Sequence, residues 1–201
     1  MANRLSRAFY DRPTLRVAEE LLGKVLVHRT RSGPTAGMIV EVEAYIGEDD
    51  PACHAAAGLT RRNAPLYGPP GFSYVYLNYG IHYLVNAVTE VESHPSAVLI
   101  RALAPLDGIR AMMRRRTTPD RTIEVSALCQ GPGNLSRAMG ISLADNGLDL
   151  TSSRLHIEDR GLVVGPVTWG PRIGIRVGTD RAWRCWVSGH RSVSGQVRSE
   201  K

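Results

Sequence analysis

Two carboxylates and a phenol occupy alternate positions in residues 39–45, whose sequence is IVEVEAY. Apolar and polar residues alternate through this segment, and the alternation predicts a β-strand. Successive side chains of a strand point to opposite faces, so we expect Ile39, Glu41, Glu43 and Tyr45 on one face. Nothing in folding requires that row of polar side chains. The segment therefore predicts a site of chemistry in which a carboxylate acts as general acid or base.

Glu41 admits two interpretations. It could be a second acid beside Glu43, because both side chains are expected on the same face. Adjacent carboxylates repel each other, however, unless a cation is close to them. We therefore favour a supporting role for Glu41, as a salt-bridged or hydrogen-bonded residue behind the site.

Tyrosine is concentrated in the same part of the chain, since six of the seven tyrosines lie between residues 45 and 83. Aromatic side chains stack on nucleobases, and each such contact contributes roughly 1–3 kcal/mol. For Tyr74 and Tyr83, strand propensity is a sufficient explanation. Tyr79 lies instead in the predicted tight turn of residues 78–80, where packing does not call for a large side chain. On a hairpin tip it is suited to act as a wedge in a base stack.

Short predicted strands would position these residues. They lie at residues 24–30, 39–46, 73–79, 81–91 and 97–103, with several more between 148 and 178. Helices are predicted for residues 13–22, for residues 105–113 starting at Pro105, and for a segment ending at Gly140. The first two strands are expected to form a hairpin. The chain is thus predicted to be mixed α+β and mostly antiparallel, with residues 1–201 in one domain.

Two segments carry no predicted helix or strand. Residues 47–71 are rich in glycine, proline, alanine and charge, and a loop of this length in a compact domain is usually functional or disordered. The tail from Ser192 onward is expected to fray.

The composition favours a polyanionic partner. With 25 basic and 19 acidic residues, the chain has a formal charge of +6 and a pI near 9.6. A basic surface suits nucleic acid, although an ordinary basic enzyme fits this charge equally well. The three cysteines form no CxxC pair, so a reducing cytoplasm is expected. No apolar run follows the N-terminal charges or approaches membrane length, so we predict neither a signal peptide nor a membrane span.

Sequence motifs for metals and nucleotide cofactors are missing. The sequence contains no HExxH, no Cys/His cluster and no EF-hand, so no metal is predicted. It contains no P-loop, no GxGxxG and no GxSxG elbow, so no cofactor is predicted. His54 follows the glutamate strand, but a single histidine does not make a metal site.

Several separate motifs, taken in order, resemble the alkyladenine (3-methyladenine) DNA glycosylase family. They are VEVEAY at 40–45, His54, YVYLNYG at 74–80, Asn86, LIRAL at 99–103 with Pro105, and LCQGPGNL at 128–135. The resemblance runs from about residue 6 to about residue 193. It implies a curved antiparallel sheet or open barrel with peripheral helices, and a protruding hairpin that intercalates into DNA through Tyr79.

The resemblance also implies catalytic roles. Glu43 matches the carboxylate that holds and deprotonates the attacking water. Arg101 matches the arginine that helps to hold this water and the nearby DNA backbone. The backbone carbonyl of Ile173 matches the third contact of the water.

A base pocket and DNA contacts follow from the same resemblance. The pocket walls match Tyr45, His54 and Tyr76, and the asparagine that discriminates against a guanine amino group matches Asn86. Arg61, Arg62 and His82 are predicted to contact DNA together with Tyr79. The chain departs from the family here, because TRRN at 60–63 replaces the usual Thr-Pro-Arg-Asn and His82 replaces an aromatic of some relatives.

Lysine content bears on the reaction. A glycosylase that also cuts the strand usually attacks through an amine and forms a Schiff base. The only lysines are Lys24 and Lys201, and neither is near the motifs in sequence. We therefore expect a monofunctional glycosylase that leaves an abasic site.

The expected partner is double-stranded DNA containing damaged purines, bound by a monomeric cytoplasmic protein. Two other functions stay open. A non-catalytic binder of damaged or bent DNA would use the same pocket and wedge. A hydrolase of free nucleosides would need Glu43 and the tyrosines, but not the basic surface.

Overall fold

The computed structural model describes residues 3–118 and 122–195. Its strands form one curled, half-barrel sheet in which every pairing is antiparallel. The strands are β1 (Asn3–Arg4), β2 (Val25–Thr30), β3 (Gly33–Ile46), β4 (Ser73–Asn78), β5 (His82–Val88), β6 (Ser96–Asp107), β7 (Leu155–Asp159), β8 (Val167–Gly170) and β9 (Arg184–Val187). The helices are α1 (Arg7–Tyr10), α2 (Thr14–Leu21), α3 (Ile109–Arg116) and α4 (Pro132–Met139). The prediction of a mixed, mostly antiparallel fold is confirmed.

Strand β3 is the centre of the sheet, whose order is β1-β7-β2-β3-β6-β5-β4. One edge of β3 pairs with β6 along most of its length. The other edge pairs first with β2, as the predicted hairpin requires, and then with β9 over residues 41–43. The glutamate segment is therefore hydrogen-bonded on both edges, which holds its side chains in fixed positions.

Two of the three irregularities in the pairing of β3 with β6 flank Glu41. The register skips Val40 on β3 and then Arg101 on β6, on either side of Glu41. A bulge re-aims side chains by interrupting the two-residue alternation. Consequently Ile39 does not follow the expected face pattern. It is fully buried in the main hydrophobic cluster together with Val42.

The predicted helix at Pro105 is wrong. Pro105 lies within β6, and α3 begins four residues later, after Gly108 with φ of 72°. Proline has no N–H to donate, but at this point β6 has already passed the residues that pair with β5. The missing donor is therefore tolerated, as at an edge position.

The predicted fraying from Ser192 is also wrong for the part of the tail that the structure describes. Ser192, Val193 and Ser194 are buried. The backbone N–H of Ser194 donates to Oε2 of Glu41 at 2.6 Å. Residues 196–201, which include Lys201, lie outside the described residues.

The long loop of residues 47–71 contains two 3₁₀ helices, His54–Ala57 and Ala64–Tyr67. Asn63 fastens it, because its amide nitrogen donates to the carbonyls of His54 and Gly58, both at 2.8 Å. The loop packs a small hydrophobic cluster onto the sheet, around Leu66 and Tyr74. Among the described residues, no helix is long and apolar enough to cross a membrane.

Candidate active site

A cavity of about 350 Å³ opens where the long loop meets strands β3 to β6. Its lining includes six of the residues predicted to wall a base pocket or to hold the attacking water, Tyr45, His54, Tyr76, Asn86, Arg101 and Ile173, in addition to Tyr74 and Tyr79. They come from β3, the long loop, β4, β5, β6 and the segment before β9. The fold thus brings together side chains that are up to 128 residues apart in sequence.

Glu43 lies directly behind the cavity wall and is fully buried. Its Oε1 accepts a 2.7 Å hydrogen bond from the backbone N–H of Ile173 and lies 3.1 Å from Nη1 of Arg101. Its Oε2 accepts a 2.8 Å hydrogen bond from the hydroxyl of Tyr45. A carboxylate offers about four acceptor positions. Glu43 therefore keeps acceptor capacity on Oε2, the oxygen nearer to the pocket tyrosine.

Arg101 connects the two glutamates of β3. Its Nε donates to Oε1 of Glu41 at 2.8 Å, while Nη1 faces Glu43. Burial lowers the pKa of Arg101, but the carboxylates of Glu43 and Glu41 outweigh burial and hold the pKa above its ordinary value. The guanidinium is thus a permanent cation in the cavity wall. The expectation that Glu41 supports the site is consistent with this arrangement.

Tyr45 is held between a carboxylate and a cation. Its hydroxyl binds Glu43, and the guanidinium of Arg172 lies 4.7 Å from its ring centroid. Burial, and then the charge of Glu43, raises the pKa of Tyr45 far above its ordinary value. The phenol therefore stays protonated and acts as a donor. Its ring is fixed as a wall of the cavity.

Arg172 is itself fixed by Asp50 in a fully buried pair. Nη1 and Nη2 of Arg172 lie 2.5 and 2.8 Å from the two carboxylate oxygens of Asp50. Burial raises the pKa of Asp50, but the hydrogen bonds and charge of Arg172 outweigh it and leave the pKa lowered. This bidentate pair supports Tyr45 from behind the cavity.

His54 forms a hydrogen bond with Tyr74, with 2.8 Å between Nδ1 and the phenolic oxygen. Burial raises the pKa of Tyr74 to about 12. Burial, and then Arg62, lowers the pKa of His54. The imidazole is therefore neutral near pH 7.

Tyr76 forms the next wall. Its ring centroid lies 4.5 Å from that of His54, and the two ring planes are inclined at 66°. Arg62 lies over the same ring at 5.7 Å and donates to the carbonyl of Leu77 at 3.1 Å. Asn86 is buried, and its amide nitrogen donates to the carbonyl of Tyr74 at 2.9 Å. That hydrogen bond orients the Asn86 side chain in the floor of the cavity.

The β4–β5 hairpin ends beside the cavity mouth. Its turn has positive φ at both central residues, 49° at Tyr79 and 71° at Gly80, as in a type I′ turn. Tyr79 is 84% exposed and Ile81 is 73% exposed. The tip thus exposes two large side chains, Tyr79 and Ile81, to solvent.

The other residues predicted to contact DNA lie in different settings. Arg61 is exposed on the long loop. His82 is exposed but packs on α4, because a Cβ at Gly133 would lie 2.6 Å from Cγ of His82. In residues 3–118 and 122–195, no group of three His, Cys, Asp or Glu side chains could hold a metal ion.

Residues 8–191 match the family model described as methylpurine-DNA glycosylase. The chain belongs to the methylpurine-DNA glycosylase family. Proteins named "Putative 3-methyladenine DNA glycosylase" are similar over nearly their whole length. One from Prosthecochloris aestuarii is 47% identical over 95% of this chain and 91% of its own. Others are from Burkholderia lata (45%; 96% of this chain and 92% of its own) and Methanocella arvoryzae (47%; 90% of each).

Sequence reasoning about this family member missed the residues that support the cavity from outside. Asp50, Asn63, Arg184 and Ser194 are buried. Asp50 binds Arg172, Asn63 binds carbonyls of the long loop, and Arg184 and Ser194 bind Glu41. Asn63 did lie in the quoted TRRN segment, but only as a neighbour of the arginines. A signal for Ser194 was lacking, because a serine seven residues from the chain end has no distinctive spacing.

Proposed function

We propose that this protein is a monofunctional DNA glycosylase acting on damaged purines in duplex DNA. The base is flipped into the cavity, and Glu43 deprotonates a water that hydrolyses the N-glycosidic bond. The observation that carries this proposal is that Glu43 is bound directly by three residues of the cavity wall, Tyr45, Arg101 and Ile173. Family membership supports the same reaction and the same class of substrate, alkylated purines such as 3-methyladenine.

Glu43, one water and the substrate account for every proton and bond in the reaction. Glu43 takes a proton from water, and the water oxygen bonds to C1′ of the deoxyribose. The bond from C1′ to the base nitrogen breaks, and its electron pair goes to the base. An alkylated purine is already cationic, so it leaves as a neutral base, and an abasic site remains. One positioned carboxylate is sufficient for such a substrate.

The cavity suits a flipped base. Its walls include the rings of Tyr45, Tyr76 and His54, which offer stacking surfaces worth about 1–3 kcal/mol each. Asn86 would exclude the guanine amino group. Tyr79, exposed on the hairpin tip, would fill the space that the base leaves in the duplex. Arg101, Arg61, Arg62 and His82 would contact the DNA backbone around the lesion.

The lysines support a reaction without strand cleavage. Nζ of Lys24 is paired with Asp159 at 2.5 Å, between the start of β2 and the end of β7. Neither Lys24 nor Asp159 lines the cavity. Borohydride treatment during turnover is therefore expected to trap no covalent complex between protein and DNA.

The deciding experiment is base release from duplexes that each carry 3-methyladenine, 7-methylguanine, hypoxanthine or ethenoadenine. We expect wild-type protein to release at least one of them, and Glu43→Gln to release none while still binding the same duplex. Binding without release by the wild type would instead indicate a damage-binding protein. Release from free nucleosides with no dependence on salt would indicate a nucleoside hydrolase.

A further inference from the structure

Behind Glu43 lies a buried group of four side chains, which we call the Glu41 cluster: Glu41, Arg101, Arg184 and Ser194. Glu41 is fully buried, and the other three are at most 8% exposed. Oε1 of Glu41 accepts from Nε of Arg101, Nε of Arg184 and Oγ of Ser194, each at 2.8 Å. Oε2 accepts from the backbone N–H of Ser194 at 2.6 Å.

Four hydrogen bonds hold the Glu41 carboxylate, three at Oε1 and one at Oε2. A carboxylate held in this way is a fixed anion, and of its three partner residues only Arg101 lines the cavity. Glu43, two residues along the same strand, is instead bound by three residues that all line the cavity, namely Tyr45, Arg101 and Ile173. The two glutamates therefore differ in role, although both lie in the interior and contact the same arginine.

Charge explains why the second arginine matters. The cluster and Glu43 together contain two carboxylates and two guanidinium groups, so the buried charges balance. If Arg101 were the sole cation, both carboxylates would compete for it. Arg184 and Ser194 supply the other hydrogen bonds to the Glu41 carboxylate. Arg101 can then bind Glu41 through Nε and direct Nη1 to Glu43, 3.1 Å away.

Ser194 joins this cluster to the last described part of the chain. Nη2 of Arg184 donates to its carbonyl at 2.8 Å, and Nη2 of Arg101 lies 3.4 Å from its hydroxyl. Ser194 thus contacts both arginines and both oxygens of Glu41.

We propose that Ser194 is a positioning residue for base release, which acts through Glu41 to fix the guanidinium of Arg101 against Glu43. The inference rests on the proposed function, because it assigns Ser194 a part in the reaction at Glu43. Ser194 does not line the cavity. Its loss should therefore slow the chemical step and leave damaged DNA binding unchanged.

The test compares Ser194→Ala with Ser192→Ala. Ser192 is buried in the same segment, but its backbone N–H donates to Nδ1 of His190 and the residue does not contact Glu41. We expect Ser194→Ala to lower the single-turnover rate constant, measured with saturating enzyme, about tenfold. The dissociation constant for the damaged duplex should change less than twofold. Ser192→Ala should match the wild type in both measurements.

Two further variants distinguish positioning from general stability. Ser194→Thr keeps the hydroxyl and should retain most of the rate. In an Arg101→Lys background, Ser194→Ala should cost less than twofold, because its effect passes through Arg101. The proposal is overturned if Ser194→Ala releases base at the wild-type rate, or if its effect is undiminished in the Arg101→Lys background.

The proposed function is judged separately, by wild-type release and its loss in Glu43→Gln. Normal release by the wild type and by Ser194→Ala would remove only the role of Ser194. Absence of release by the wild type would remove both proposals.

Discussion

The phenolic hydroxyl of Tyr45 lies 2.8 Å from Oε2 of Glu43, the oxygen that contacts neither Arg101 nor Ile173. The two side chains are separated by one residue on β3, so the strand alone brings them together. Their hydrogen bond joins a cavity wall to the proposed general base. Under the proposed function, Tyr45 therefore has two roles, stacking on the base through its ring and orienting Glu43 through its hydroxyl.

Replacing Tyr45 with phenylalanine separates these functions. The ring remains, but Glu43 loses a charge-assisted hydrogen bond and part of its orientation. We expect single-turnover base release to fall about tenfold, which is about 1.4 kcal/mol of transition-state stabilisation. Affinity for the damaged duplex should stay within twofold of the wild type.

Tyr67→Phe is the matched control for that experiment. It removes another tyrosine–glutamate hydrogen bond, 2.7 Å from the hydroxyl to Glu48, at a site that does not line the cavity. Its rate should equal the wild-type rate. A Tyr45→Phe variant with unchanged release would show that the hydroxyl does not orient Glu43.

Arg62 is predicted to influence the pKa of His54. The pKa of this imidazole is lowered from 6.5, first by burial and then by the Arg62 charge. Removing the charge in Arg62→Gln should raise the pKa, although burial should keep it below 6.5. Arg61→Gln, which removes the charge of the neighbouring exposed arginine, should leave it unchanged. An NMR titration of His54 measures both variants.

The sign of the associated stability change follows from proton linkage. A histidine with a lowered pKa in the folded state binds more protons when unfolded. His54 therefore destabilises the fold below pH 6.5, and this effect disappears as the pH rises above that value. The effect should be smaller in Arg62→Gln. A His54 pKa that stays the same or falls in this variant would contradict the assignment.

The sequence was sufficient to predict the strands that build the cavity wall. The alternation in β3 and the tight turn at Tyr79 are local features, and the structure has both. The helix at Pro105 was wrong because local proline preferences were outweighed by the pairing of β6 with β3. The position of Arg101 as a bulge residue was likewise set by strand register, which a local pattern does not encode.

The supporting contacts lay beyond prediction because they join distant segments. Arg172 reaches Asp50 across 122 residues, and Ser194 reaches Glu41 across 153. Such pairs depend on the completed sheet and have no fixed spacing. Ser194 was even assigned to a frayed tail, since chain ends usually make few contacts. Here the buried carboxylate of Glu41 holds the segment through its hydrogen bonds with Ser194.

Tyr79 is predicted to be strained as well as functional. Its φ of 49° lies in the left-handed region, which asparagine tolerates better than tyrosine. Because the side chain is 84% exposed, it contributes little packing. We expect Tyr79→Asn to raise the free energy of unfolding by about 0.5–1 kcal/mol, while binding and release of damaged bases become weaker.

Tyr79→Phe is the control for the wedge, since it keeps both the strained backbone and the ring. It should behave like the wild type in urea unfolding and in base release. Full activity in Tyr79→Asn would show that the aromatic tip is not needed to hold the duplex open.

The pair of Asp50 and Arg172 should be a major determinant of stability. Both side chains are fully buried, so Asp50→Ala leaves the guanidinium uncompensated in the interior. Breaking such a pair costs about 3–5 kcal/mol. The Arg12–Glu20 pair offers a contrast, because its side chains are 34% and 43% exposed. Glu20→Ala should cost about 0–1 kcal/mol.

Urea unfolding of the two variants measures this difference directly. Because Arg172 also packs against the ring of Tyr45, the folded fraction of Asp50→Ala should bind damaged duplex more weakly than Glu20→Ala does. Equal unfolding free energies for the two variants would mean that the interior accommodates the unpaired Arg172. In that case the support for Tyr45 would come from the other contacts of its ring and hydroxyl, and not from the ion pair.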